Sequence, residues 1–103
     1  MRPRQLAVTP QAQRDLSAII AWYRRELGAL AASKVARSIQ AGVRAATRIE
    51  LSRARREDLP EGYFRVVAKA HLVIFTVEND TAKIIRILHG ARDITALLEF
   101  NKD

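Results

Sequence analysis

Cysteine is absent from this 103-residue chain. Its absence excludes disulfide bonds and thiolate zinc sites and favours a reducing compartment, so we expect a cytoplasmic protein. Long apolar runs are absent too, since no segment reaches the roughly 18 consecutive apolar residues of a membrane span. The first ten residues have basic character but lack the apolar region of a signal peptide. We therefore expect a protein that is neither membrane-bound nor exported.

Histidine is scarce, with only His71 and His89 in the chain. The sequence has no cluster with metal-ligand spacing, no glycine-rich phosphate loop and no Ser/His/Asp signature. We therefore expect neither a bound metal nor a cofactor, and few groups are available for proton transfer.

Positive charge, in contrast, is abundant. The 18 Lys and Arg residues outnumber the 11 Asp and Glu residues, which gives a net charge of +7 and favours nucleic acid, a ribosome or an acidic protein as partner. Much of this excess lies between Lys34 and Arg56, where Glu50 is the only acid. The stretch is either a solvated helix face followed by a loop or a surface for a partner.

The first half of the chain has the pattern of a helix hairpin within a single domain, residues 1–103. Gln5 to Val8 is a candidate edge strand, and Thr9-Pro10 is a strong helix start because proline needs no hydrogen-bond acceptor at the first helical position. Apolar residues at helical spacing predict one helix ending at Gly28 and a second ending by Ser52. The short connection between them requires antiparallel packing.

The second half has the pattern of strands. Tyr63 to Ala68, His71 to Val77 and Ala82 to Leu88 predict an antiparallel meander, with the nearly continuous apolar middle strand at its centre. The fold class is therefore α+β: an N-terminal strand and a helix hairpin packed on a small antiparallel sheet. We expect a short C-terminal helix from about Asp93.

Three sequence segments carry a resemblance to a known family: GYFRVV, HLVIFTVEND and IIRILHGARDITALL. With the order of elements, they resemble the RelE/ParE superfamily of toxin-antitoxin toxins, and most closely its ParE-like plasmid-stabilisation branch. The most specific match is Arg86 to Asp93, and the resemblance extends from Thr9 to Leu98. The loop before the sheet, LSRARREDLPEG, lacks the His-Pro and glycine-rich turn usual in this branch.

The resemblance implies a toxin that a cognate antitoxin neutralises. ParE-like toxins poison DNA gyrase, whereas RelE-like toxins are ribosome-dependent mRNA interferases, and a shared fold does not distinguish the two. An interferase needs proton-transfer groups and cations around the cleaved phosphate. The candidates for such a catalytic site are Arg65, Arg86, His89 and Arg92. The C-terminal tyrosine of many RelE-like nucleases is missing, which favours gyrase inhibition over enzymatic activity.

Site residues follow from the same reasoning, each with a structural alternative. The candidates for target binding are Arg65, Arg86, His89, Arg92, Leu97 and Leu98. The candidates for binding an antitoxin with an acidic, partly disordered tail are Trp22, Arg37, Arg44 and Arg48. Structurally, Arg65 and Arg86 would pair with a carboxylate such as Asp93 or Glu61, and His89 would cap the strand end. Trp22 is either exposed or packed under the N-terminal strand, and Leu97 and Leu98 either close the core or contact a partner.

Overall fold

The computed structural model describes residues 2–90, which form two helices and a four-stranded sheet. In chain order the elements are β1 (Gln5–Val8), α1 (Pro10–Leu27), α2 (Ala29–Ala45), a 3-10 turn (Leu51–Arg53), β2 (Phe64–Ala68), β3 (His71–Glu78) and β4 (Thr81–His89). Neither helix of this region has the length and apolarity needed to cross a bilayer. The expected C-terminal helix lies outside the described residues.

The helix hairpin forms where the sequence predicts it. The Thr9 hydroxyl accepts a hydrogen bond from the Ala12 N–H at 3.1 Å, and Pro10 occupies the first helical position. Gly28 separates the two helices with φ of 96°, a conformation that side chains with a Cβ rarely adopt. The second helix ends at Ala45, earlier than the sequence pattern suggested.

Strands β2, β3 and β4 form the predicted antiparallel meander. Lys69 at the first turn has φ of 56°, and Asn79 and Asp80 at the second turn have φ of 51° and 59°. Two consecutive positive φ values are typical of a type I′ hairpin turn, whose twist matches that of the strands. The tight turn between β3 and β4 therefore forms at Asn79 and Asp80, two residue types that tolerate left-handed backbone torsions.

The N-terminal strand departs from the antiparallel sheet that the sequence suggested. β1 pairs in parallel with β4, from Gln5 opposite Thr81 to Val8 opposite Ile84, so the sheet is mixed, with the order β1-β4-β3-β2. The expectation that β1 is an edge strand is confirmed. The helix hairpin and the long loop connect β1 at one edge of the sheet to β2 at the other edge, where the meander begins.

The core lies mainly between the helices and one face of the sheet. It includes Ala12, Ile39, Val66, Val73, Phe75 and Ile84, all buried. A smaller cluster on the opposite face joins Leu59 of the long loop to Leu72, Ile74 and Leu88. Because both faces are covered, the central strand β3 is buried from His71 to Phe75, as its continuous apolar sequence predicts.

Candidate functional site

A groove of about 720 Å³ runs between α2 and the edge strand β2. Lys34 and Arg37 of α2 and Lys69 of the β2–β3 turn give it a basic rim, and Val67 on β2 is 55% exposed. Gly42 lies at its floor, where a Cβ would come within 3.0 Å of the Ala68 Cβ. Because Gly42 has no side chain, α2 approaches the sheet closely at Ala68. The groove lies beside this contact between helix and sheet.

The groove adjoins an open sheet edge, because β2 pairs only with β3. The Arg65 N–H points away from β3 and donates to the Ala54 carbonyl at 2.8 Å. Backbone groups alternate in direction along a strand, so Val67 presents its N–H and C=O on the same outward side. An exposed edge of this kind accepts an added strand.

The groove continues around the β2–β3 turn toward α1. A second depression, lined by Lys34, Ser38, Lys69, Tyr23 and His71 among others, connects the α2–β2 groove to the N-terminal end of β3. Basic and apolar side chains therefore follow one path from the open sheet edge to α1.

The path ends in a cavity of about 410 Å³ between α1 and the sheet, lined by Ala18, Ile19, Trp22, Tyr23, His71 and His89. Trp22 is 49% exposed and contacts Tyr23 edge to face, with ring centroids 5.3 Å apart. This position supports the exposed alternative for Trp22 and not packing under the N-terminal strand. His71 is buried, and burial, followed by the nearby His89, lowers its pKa.

Arg86 has a different role from the one its sequence position suggests. Its Nε and Nη2 atoms donate to the Asp15 carboxylate of α1 at 2.8 and 3.2 Å, and the Ile87 N–H donates to the same carboxylate at 2.9 Å. Arg86 therefore pairs with a carboxylate, as the structural alternative predicts, but the carboxylate is that of Asp15 and not that of Glu61, and Asp93 lies outside the described residues. Asp15 lies beside β4, just beyond the end of β1. Its carboxylate accepts the hydrogen bond from the Ile87 N–H that a backbone carbonyl of a longer β1 would accept.

A bulge in β4 accompanies this ion pair. Ile74 pairs with Arg86 and Phe75 with Ile84, so Ile85 has no partner on β3. A bulge bends its strand and changes the direction of nearby side chains. Asp15 was missed by the sequence analysis, because nothing local to α1 signals that one of its acids reaches β4.

Arg65 lies on the sheet face opposite the helices. Its neighbours Phe64 and Val66 pack into the helix-side core, so the alternation of β2 turns Arg65 the other way. Its Nε atom is buried without a hydrogen-bond partner. The anticipated pairing with Glu61 is not among the ion pairs of the described region.

The sequence matches the family model described as the ParE toxin of the type II toxin-antitoxin system parDE, over residues 6–94. The chain belongs to the ParE toxin family. The match covers both helices, β1 from Leu6 onward, the other three strands of the sheet and the residues that follow His89 up to position 94. No significant match was found among curated proteins.

Solved structures show the ParE fold at low sequence identity. A chain of the chromosomal ParDE toxin-antitoxin system from P. aeruginosa superposes with a TM-score of 0.75 and 23% identity, over 85% of this chain and 97% of that one. A chain of the RelBE2 toxin-antitoxin complex from Mycobacterium tuberculosis gives a TM-score of 0.61 and 17% identity, over 85% and 99%. The ParE and RelE structures thus share this architecture.

The predicted antitoxin-binding residues of this ParE-family chain do not form one patch. Arg37 lines the α2–β2 groove, Trp22 lines the cavity at α1, and Arg48 lies near Arg2 and Arg4 at the other end of the sheet. Arg44 is exposed on α2. Sequence reasoning missed Val67, although an apolar residue on the outer side of an edge strand is a usable signal for it.

The predicted target-binding residues also separate. His89 faces α1, Arg65 faces the opposite side of the sheet, and Arg86 is held by Asp15. Arg92, Leu97 and Leu98 lie outside the described residues. The described part of the site thus offers a basic groove and an aromatic cavity, and contains no cluster of three or more His, Cys, Asp or Glu that would hold a metal.

Proposed function

We propose that this ParE-family toxin inhibits DNA gyrase through protein contact and that a cognate antitoxin with an acidic tail neutralises it. Its family is that of type II toxin-antitoxin toxins. The separation of His89 from Arg65 is the observation that favours inhibition over RNA cleavage. The two side chains lie on opposite faces of the sheet, so they cannot act on one phosphate.

The remaining candidates for an interferase site support the same proposal. The Arg86 guanidinium is already paired with Asp15 and only 16% exposed, so it is not free to neutralise a phosphate. Cations without a positioned base or acid stabilise charge but transfer no proton. Within residues 2–90, the geometry therefore fits a surface that binds a protein better than a nuclease site.

A pair of assays distinguishes the two targets. Purified toxin is added to DNA gyrase in a supercoiling assay, and separately to a translation reaction in which mRNA cleavage is followed. We expect loss of supercoiling, or trapped cleavage complexes, with intact mRNA. Cleaved mRNA together with unaffected gyrase would establish the ribosome-dependent interferase instead.

An arginine variant tests whether the sheet face that carries Arg65 contacts gyrase. Loss of a charged hydrogen-bonding group costs about 1.5 to 3 kcal/mol, so Arg65→Ala should raise the toxin concentration for half inhibition by roughly tenfold or more. Arg53→Ala is the matched control. Arg53 is exposed, and its Nε atom lies 3.9 Å from the Glu50 Oε2 atom, so little is lost when its side chain is removed. Equal inhibition by both variants would exclude Arg65 from the gyrase contact.

The antitoxin is proposed to bind along the groove between α2 and β2. Its tail would add a strand at Val67 and place acidic side chains against Lys34, Arg37 and Lys69. Both solved neighbours are toxin-antitoxin systems, which supports a partner of this kind. A segment that is disordered alone gains backbone hydrogen bonds at such an edge when it folds on binding.

Charge reversal in the groove tests this docking mode. Arg37→Glu should weaken antitoxin binding at least tenfold at low salt, and less at high salt, because screening reduces the repulsion. Arg53→Glu carries the same change in net charge away from the groove and should bind nearly as the parent does. If both variants lose affinity equally, only the overall charge matters and the groove is not the site.

A further inference from the structure

His71 and His89, the only histidines of the chain, are direct neighbours across β3 and β4. Their ring centroids are 4.9 Å apart and their planes are inclined by 58°. Both rings face the cavity beneath α1, beside Trp22 and Tyr23. Two imidazoles far apart in sequence are thus brought together by strand register, which is why spacing in the sequence gave no sign of them.

The His71 ring has one nitrogen without a hydrogen-bond partner. The Nε2 atom is buried and has no hydrogen-bond partner, and the residue as a whole is only 1% exposed. A buried polar atom without a partner costs about 1 to 3 kcal/mol, so such atoms in native proteins usually have a ligand or a function. Burial also lowers the pKa of this imidazole and so favours its neutral form, which is the form that binds metals.

The distance between the rings suits a shared metal ion. With a metal–nitrogen bond of about 2.0 to 2.1 Å, each ring centroid lies about 3.2 Å from the metal. Two such rings are about 4.5 Å apart when the angle at the metal is 90° and about 5.2 Å apart when it is tetrahedral. The observed 4.9 Å lies between these limits.

We propose that His71 and His89 bind one late first-row divalent metal ion, of the class of Zn²⁺ or Cu²⁺, in the cavity beneath α1. Imidazole nitrogen suits this class, whereas Mg²⁺ and Ca²⁺ prefer oxygen ligands. No group of three or more His, Cys, Asp or Glu forms a metal cluster within residues 2–90, so this part of the chain would supply two ligands to the ion, His71 and His89. The site differs from the sequence-based expectation of no metal because it depends on strand pairing.

Because no other histidine is present, labelling with ¹⁵N-histidine reports on this pair alone. Untagged protein is titrated with ZnCl₂ and followed by NMR of the ring nitrogens and by calorimetry. We expect both rings to shift together with one ion per chain. In parallel, the electron paramagnetic resonance spectrum of bound Cu²⁺ should show coupling to two imidazole nitrogens.

Variants separate this pair from other metal-binding groups. His89→Ala should weaken Zn²⁺ binding at least about tenfold, since even loss of an outer-shell partner typically costs 10- to 100-fold. His89 is exposed, so this variant should keep the parent's circular dichroism spectrum. Lys83→Ala, at another exposed position of β4, is the control and should bind as the parent does.

Three results would overturn the proposal. The first is that neither ring signal moves in excess Zn²⁺. The second is that His89→Ala binds Zn²⁺ as tightly as the Lys83→Ala control. The third is a Cu²⁺ spectrum with one imidazole nitrogen in both the parent and His89→Ala, because His71 and His89 would then not share the ion.

Discussion

Replacing Asp15 with alanine removes a carboxylate that connects α1 to β4. This carboxylate accepts from Arg86 Nε at 2.8 Å, from Arg86 Nη2 at 3.2 Å and from the Ile87 N–H at 2.9 Å. Gln11 also donates to it, at 3.1 Å. After Asp15→Ala, the Arg86 charge and the Ile87 backbone donor both lose their acceptor in a site that excludes most water.

The size of the effect follows from the burial of the pair. The side chains of Arg86 and Asp15 are 16% and 11% exposed, which places the pair close to the buried limit. Breaking a buried pair costs about 3 to 5 kcal/mol, and slight exposure favours the lower half of that range. We therefore expect Asp15→Ala to lose about 3 to 4 kcal/mol, a large part of the roughly 5 to 15 kcal/mol that stabilises a small domain.

Chemical denaturation measures this loss through the midpoint in urea, provided that the slope of the transition is unchanged. A double-mutant cycle with Asp15→Ala and Arg86→Met isolates the energy of the pair. Arg86→Met keeps much of the apolar stem and removes the charge. The two changes should be strongly non-additive, with a coupling of about 1 to 3 kcal/mol.

A loss below about 1 kcal/mol for Asp15→Ala, or additive effects in the cycle, would refute this reasoning, since both are expected only of solvent-exposed pairs.

The Arg86→Met variant also tests Arg86 as a target-binding residue. If Arg86 acts only through the fold, Arg86→Met should reduce toxin activity in proportion to the folded fraction. Activity that is lost while the protein stays folded would indicate direct contact with the target.

Further predictions concern Gly42, Thr9 and His71. Gly42→Ala should destabilise the fold by about 1 to 2 kcal/mol in urea denaturation, because the new Cβ would lie 3.0 Å from the Ala68 Cβ. A gain in stability would contradict the close packing of α2 on the sheet. Thr9→Ala should cost about 1 kcal/mol through loss of the helix cap, and an unchanged midpoint would exclude that role. The lowered pKa of His71 means that the unfolded chain binds more protons, so stability in metal-free buffer should decrease as the pH falls below about 6.5, and His71→Gln should flatten this dependence.

Local chemistry made much of the fold predictable. Thr9-Pro10 and Gly28 mark the helix boundaries, and the polar turn at Asn79 and Asp80 marks a hairpin, because each residue acts on backbone torsions within its own turn. The parallel pairing of β1 was not predictable in this way. Gln5–Val8 has no local feature that selects the direction of its partner, and that partner, β4, lies more than 70 positions later in the chain.

The site was less predictable, because its residues meet through register and packing. Asp15 and Arg86 are 71 positions apart, and the bulge at Ile85 that accompanies their contact has no signature in the sequence. His71 and His89 meet because they occupy paired positions of β3 and β4. The basic excess of α2 was visible in the sequence, but only the open edge of β2 shows which part of it lines a groove.

The parallel pairing of β1 with β4 has a consequence for the order of events during synthesis. Thr9 and Ile85, hydrogen-bonded at the end of this pairing, are separated by 76 positions. At the roughly 5 to 20 residues per second of translation, β1 waits about 4 to 15 s for its partner strand. Until then α1 lacks β4, the strand against which it packs. The contacts of β1 and α1 with the sheet are thus completed only after β4 has been made.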